Sequence, residues 1–255
     1  MNTALRSQRP APQLSYNSAM LILALDTSSP SGSLAVLRDE DLLSVLSTTS
    51  VENYSSRMFR HLEFLLKELG IAVRDFDLYA VAAGPGSFTG LRVGLAAVKG
   101  WAEVHGKPIA PVSALEAVAA QARAQAPWVA PVMDAGRGQV YGALYEPLPN
   151  GLRRHGHERV ETLKEFLTWL GGEFREELRG APAFISPTPA LLYVEIEHSA
   201  FVNSPVEPAS PVLAPLIGRL GLERARRGEL VDALHLDANY IRRSDAEISW
   251  KPAKT

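Results

Sequence analysis

The sequence contains no cysteine. Disulfide scaffolds, thiol catalysis and cysteine-based zinc sites are thereby excluded. The lack is compatible with the cytoplasm, which is the expected location. No stretch approaches the roughly 20 apolar residues that span a bilayer, so no membrane partner is expected. No run of basic residues stands out, and 26 Lys+Arg against 28 Asp+Glu leave a net charge of -2. Phosphate contacts need clustered cations, which argues against autonomous binding to RNA or an acidic membrane. The histidines are His61, His105, His155, His157, His198 and His235. None forms an H-x-x-x-H or H-E-x-x-H pair, so no helical metal site is expected. His155 and His157 flank Gly156 in a charged connection and are expected to be solvated. Spacing suggests no Ser/His/Asp set.

What is present suits one large domain or two small ones: 255 residues, 46% of them hydrophobic. Residues 1–19 lack a continuous apolar stretch and read as a disordered leader, or as an artefact of start-codon choice, since Met20 opens the first strong strand. LILALD is a buried strand ending in Asp26. TSSPSG turns the chain, SLAVLRD returns as a second strand, and LLSVLST makes a third. Ser50 offers an N-cap to a helix that Gly70 closes. LYAVAAG is apolar throughout and reads as a strand buried on both faces. A glycine-rich loop then runs into a helix ending near His105, with Gly106 as its stop. A short strand and another helix follow.

The layout then restarts. WVAPVMDAGRGQVYGALYE holds a strand ending in Asp134, a Gly-containing turn and a returning strand. Setting Asp26 over Asp134 aligns DTSSPSGSLAVL with DAGRGQVYGALY. ETLKEFLTWLG reads as helix, APAFISP as a short strand, VLAPLIGRLGLERARRG as a late helix, and the tail from Asp237 as mostly irregular. The fold class expected is α/β, with two related subdomains that each open with strand–Asp–turn–strand. The boundaries expected are residues 20–112 for the first, 113–240 for a smaller second, and 241–255 for a tail.

Two readings stand for Asp26. A carboxylate at a strand's C-terminal end can hold a hydrated magnesium or face a phosphate, with Thr27 and the nearby serines as donors. Equally, it can cap its own turn. The loop GPGSFTG fails the strict phosphate motifs. Counting six from Gly84 reaches Thr89 with no lysine after it, and Gly84, Gly86 and Gly90 give G-x-G-x-x-x-G, one residue too long for a dinucleotide loop. Ser87 lacks the flanking glycines of a nucleophile elbow. The amides near Ser87 and Thr89 remain candidates for an anion, but the loop's first task is to start a helix in a fixed direction. Candidate cofactor contacts are therefore Asp26, Thr27, Gly84, Gly86, Ser87 and Thr89. In the helix that follows, Gly90, Gly94 and Ala97 form a small-residue face. Glycine in a helix costs roughly 1 kcal/mol, so a covering element must offset it, either the chain's own or a partner's. In the first long helix, Phe59, Leu62, Leu66 and Leu69 make one apolar stripe, and Tyr54, Met58, His61 and Leu65 a second. That exceeds the single stripe of a surface helix. One stripe is expected to pack inward and the other, Tyr54, Met58, His61 and Leu65, to join Gly90, Gly94 and Ala97 at a partner interface.

Taken together, LILALDTSSPSGSLAVL, AAGPGSFTGLRVGLAAVKG, VSALEAVA, VMDAGRGQVYGALY and the tail YIRRSDAEISWK resemble the TsaB (YeaZ) family, over roughly Met20 to Lys251. The resemblance implies the actin-like ATPase fold of two ribonuclease-H-like subdomains. It also implies a non-catalytic relative of TsaD, the subunit that transfers threonylcarbamoyl to an adenosine of transfer RNA. TsaD carries its metal on an H-x-x-x-H helix, and the matching SALEAVAAQ here has no histidine. The implied partners are TsaD, through the first two helices, and the P-loop ATPase TsaE, with transfer RNA met only through the complex; an exposed apolar face on these helices would also allow a homodimer when the chain is alone. No catalytic residue, metal or cofactor of its own is implied; ATP or ADP would sit at the interface with partner subunits. Many relatives have His where this chain has Tyr54, so that histidine's role does not carry over. The alternative reading is an ATPase, kinase or metallopeptidase of the same fold.

Overall fold

The computed structural model describes residues 19–49, 54–173 and 180–242. Residues 1–18 of the expected leader, the cap at Ser50 and the tail beyond Arg242 lie outside them. The strands β1 (Leu21–Asp26), β2 (Ser33–Arg38) and β3 (Asp41–Ser47) form an antiparallel meander. After α1 (Tyr54–Leu69), β4 (Leu78–Gly84) returns parallel to β1. Then α2 (Phe88–His105) leads to β5 (Ile109–Ser113), parallel to β4. The sheet order is β3-β2-β1-β4-β5. As its unbroken apolar run implies, β4 is buried along its whole length between two parallel neighbours.

A short helix α3 (Ala114–Ala119) bridges to the second unit. There β6 (Val129–Gly136), β7 (Gln139–Leu148) and β8 (Gly151–Glu161) form the same meander. They are followed by α4 (Leu163–Glu173), β9 (Ala183–Ser186), α5 (Tyr193–Glu197), β10 (Val206–Pro208) and α6 (Ala214–Arg226). This sheet runs β10-β9-β6-β7-β8, the first order repeated strand for strand. The duplication inferred from Asp26 and Asp134 is thus present in the topology. Read as a charged connection, GLRRHGHERVE is instead the edge strand β8: His157 is exposed and His155 half-buried beside Glu146.

Alternation along the strands sorts side chains onto two faces. Leu23, Leu25, Leu34, Val36, Tyr79 and Val81 meet α1 and α2. Ile22, Ala24, Ala35, Leu37, Ala80 and Ala110 face α6 and α3, which lie between the two sheets. The outer face of the second sheet packs on α4 and α5 through Phe166, Leu170, Phe184 and Ile196. Each such fully buried side chain contributes about 1.5–3 kcal/mol.

The face towards α6 is rich in alanine, and α6 answers with glycine. A Cβ on Gly221 would lie 2.7 Å from the Ala80 Cβ and 3.3 Å from that of Ala110. The helix begins where the Ala214 amide donates to the Ser33 hydroxyl, at 3.1 Å. Small residues on both sides let the axis sink onto the sheet, and an alanine methyl has no rotamer by which to yield. Gly221→Ala should therefore destabilise the fold, although alanine is worth about 1 kcal/mol more in an unhindered helix. Overpacking typically costs about 1–3 kcal/mol, so urea unfolding should show a net loss. A gain would mean that α6 does not press on the sheet.

Candidate functional site

A cleft of about 660 Å³ opens between the two halves. It lies beyond the C-terminal ends of β1, β4 and β6, where open α/β sheets place their ligands. Ser28 and Ser29 line it from the first turn, Ser87, Thr89 and Arg92 from the start of α2, Asp134 and Tyr141 from the second half, and Tyr240 and Arg242 from the tail.

Asp26 does not face this space. Its side chain is 0% exposed. One carboxylate oxygen accepts from the Ser28 amide at 2.8 Å and the Ser28 hydroxyl at 2.6 Å; the other accepts from the Ser29 hydroxyl at 3.4 Å. Of the two readings of Asp26, the structure holds the turn cap. Burial pushes its carboxyl above the ordinary range, and the Ser28 and Ser29 bonds oppose that rise. Its counterpart Asp134 is exposed and accepts from the Gly136 amide at 2.7 Å.

The glycines of the loop make room for the chain itself. A Cβ on Gly86 would sit 2.6 Å from the Ser28 Cβ, one on Gly84 2.6 Å from the Asn239 carbonyl oxygen, and one on Gly90 inside the Thr27 carbonyl. Gly94 lies against the Thr27 side chain, with the Thr27 Cγ2 3.2 Å from an added Cβ. Thr27 is likewise 0% exposed, and its hydroxyl is buried without a hydrogen-bond partner. Two of the amides at the start of α2 are engaged. Ser87 donates to the Ser28 carbonyl at 2.7 Å, and its own hydroxyl accepts from Gly90 at 3.3 Å as the helix cap. Of the six candidate cofactor contacts, Ser87 and Thr89 stand exposed at the rim, while Asp26 and Thr27 are sealed beneath α2. At the far end, Gly106 closes α2 in the left-handed conformation, φ 62°.

The expected partner face needs a correction. Met58 is 0% and Leu65 2% exposed; both belong to the core under α1. Gly90 and Gly94 are covered by Thr27, not by a second helix, so arginine at position 94 would disrupt the protomer itself. Ala97 is half-buried, and the side chain of Tyr54 lies outside the described residues. His61 is half-exposed, and partial burial together with Arg57 and Arg60 holds its pKa below the usual value. Among the described residues of α1 and α2, the large apolar side chains left to solvent are Phe59 and Phe64, each 53% exposed, and Val104, 76% exposed. Phe59 meets Trp101 edge-on with ring centres 6.4 Å apart. Ala97, Trp101 and Val104 recur at helical spacing on α2, the signal that would have located this surface.

The doubled strand–Asp–turn–strand unit, with a cleft between its halves, defines the class: an actin-like ATPase fold of two ribonuclease-H-like units. The class implies a nucleotide and its metal in that cleft. Asp26 does not fit that group, because it is buried in its own turn, and Asn239 and Ser28 occupy the space beside Gly84 and Gly86. Among the described residues, no three His, Asp or Glu side chains are grouped to hold a metal ion, and no helix is long and apolar enough to cross a membrane. A family model described as TsaD, tRNA N6-adenosine threonylcarbamoyltransferase, matches residues 45–189. A TsaB protein of Bacillus subtilis, described as a tRNA threonylcarbamoyladenosine biosynthesis protein, is 39% identical over 237 residues, 91% of this chain and 98% of its own. TsaB of Escherichia coli is 32% identical over 61% of this chain and 69% of its own. Among solved structures, YeaZ from Pseudomonas aeruginosa superposes with a TM-score of 0.62 at 26% identity, covering 87% of this chain and 99% of that one. The chain belongs to the TsaB family.

The buried carboxylate has a pH signature. A folded pKa raised above the unfolded value means that the folded state binds the extra proton, so this contribution favours folding at low pH and is lost as pH rises. Asp26→Asn keeps the acceptor for Ser28 and removes the charge. The stability of the Asn variant relative to the parent should therefore increase as pH rises from the ordinary carboxylate range, about pH 4. Urea unfolding across pH checks this; a relative stability that falls with pH would mean that Asp26 is a stabilised anion.

Proposed function

We propose that the chain acts in tRNA threonylcarbamoyladenosine biosynthesis as a non-catalytic scaffold, pairing with the transferase TsaD through α1 and α2, with TsaE joining the pair. The family supports the pathway. The burial of Asp26, and the filling of the loop by the chain's own atoms, support a subunit that keeps the fold without its chemistry. The observation that carries the reading is the exposed apolar strip on α1 and α2. Phe59 meets Trp101 edge-on, Ala97, Trp101 and Val104 share one face of α2, and Phe59 and Val104 remain 53% and 76% exposed. Aromatic anchors of this kind dominate interface energies. A helical face of small and aromatic residues fits another helical face, and a second copy of this chain is the competing occupant when the partner is absent.

Measuring mass in solution for the chain alone, and mixed with TsaD, separates these occupants. A one-to-one complex is expected with TsaD at micromolar concentration. Phe59→Asp should weaken it by at least about 10-fold, a loss of about 1.4 kcal/mol. The variant should unfold at nearly the parent's urea concentration, since the ring is half in solvent. Unchanged affinity would remove α1 from the interface, and no complex at all would overturn the scaffold reading.

A further inference from the structure

The segment from Ala238 to Arg242 crosses the cleft and touches both halves. On the first half, the Asn239 amide donates to the Ala83 carbonyl at 2.7 Å, extending the backbone pairing at the end of β4. The Tyr240 ring lies 4.9 Å from that of Phe88, at the start of α2. On the second half, the Asn239 side-chain amide donates to Glu158 of β8. Arg242 spans the rest: its guanidinium donates to the Ala135 carbonyl at 2.6 Å and to the Gln139 side chain, and sits 6.0 Å from the centre of the Tyr141 ring.

Glu158 is a suitable anchor. Its carboxylate is 1% exposed, yet it accepts from Ser113 and Tyr145 and pairs with Arg154 at 3.5 Å. Ser113 is the last residue of β5 and the cap of α3, the point where the chain leaves the first half. One buried carboxylate therefore joins the second sheet, the crossover and the tail. The carbonyl of Asn239 also lies where a Cβ on Gly84 would be, so glycine there is required for the tail to pass.

We propose that Ala238–Arg242 is an intramolecular clasp that sets the angle between the two halves, in the place where a bound ligand would otherwise hold them. The clasp rests on contacts within the chain and is independent of the pairing with TsaD. Its consequence is that the halves are held together before any partner arrives, and that weakening the clasp loosens the cleft without unfolding either sheet.

The absence of cysteine makes the test direct. Cysteines introduced at the exposed Glu103 of α2 and Lys164 of α4 can carry spin labels, one on each half. Pulsed dipolar spectroscopy on the otherwise unchanged chain should return a single narrow distance distribution. Asn239→Ala with Arg242→Ala should broaden or displace it, while circular dichroism remains that of the parent. Hydrogen exchange should accelerate at least about 10-fold in the loop at 83–88 and in the turn at 135–139 together. If the double variant does not fold, Asn239→Ala and Tyr240→Ala singly decide the matter. Broadening in either supports the clasp. An unchanged distribution in every folded variant overturns it.

Discussion

The helix α2 rests on the Asp26–Ser28 turn with almost nothing between them. Gly86, Gly90 and Gly94 leave that gap, and the Ser28 and Thr27 atoms fill it. Much else follows from this one contact. It buries Asp26 and turns its oxygens inward onto Ser28 and Ser29. It spends the Ser87 amide on the Ser28 carbonyl, while the Ser87 hydroxyl takes the Gly90 amide. It also fixes the helix axis, and so turns Trp101 towards Phe59 on the outer surface. Glycine in a helix is costly by itself; here close packing offsets the cost, and the same geometry that seals Asp26 aims a helix.

The two halves show how one topology can diverge. Both sheets have the same order, yet Asp26 is sealed and Asp134 is exposed. In the first half a long α2 lies over the turn after β1. In the second half the end of β6 has no such cover, and its Ala135 carbonyl receives Arg242. The late helix α6 returns to the alanine face of the first sheet, so the two units share one core between them. A buried Glu158 between the sheets adds a polar tie to that apolar contact. Its carboxyl is pushed upward by burial, against bonds from Ser113 and Tyr145 and the pairing with Arg154.

Much of this was legible in the residues. The strand LILALD, the buried run LYAVAAG and the recurrence of Asp at strand ends all reflect local periodicity, which a sequence displays directly. The glycine face of α2 was legible as a close approach, but not the identity of what approaches, because a turn and a helix need the same empty space. Likewise, α1 is apolar over more than one stripe, so pattern alone could not say that Met58 and Leu65 face inward while Phe59 faces out. The strand β8 was hidden by Arg153, Arg154 and His157, which are exposed on an edge strand and mask its alternation. The path of the tail is long-range: nothing near Asn239 in sequence announces Ala83 or Glu158.

Amide hydrogen exchange in the isolated, ligand-free chain tests the central contact most directly. If α2 is seated on the Asp26–Ser28 turn as an internal packing element, the amides of Ser28 and Ser87 should be protected nearly as well as those of Leu23 and Leu25 in β1. Exchange at the rate of an open surface loop, slowed only when a nucleotide is added, would contradict the account.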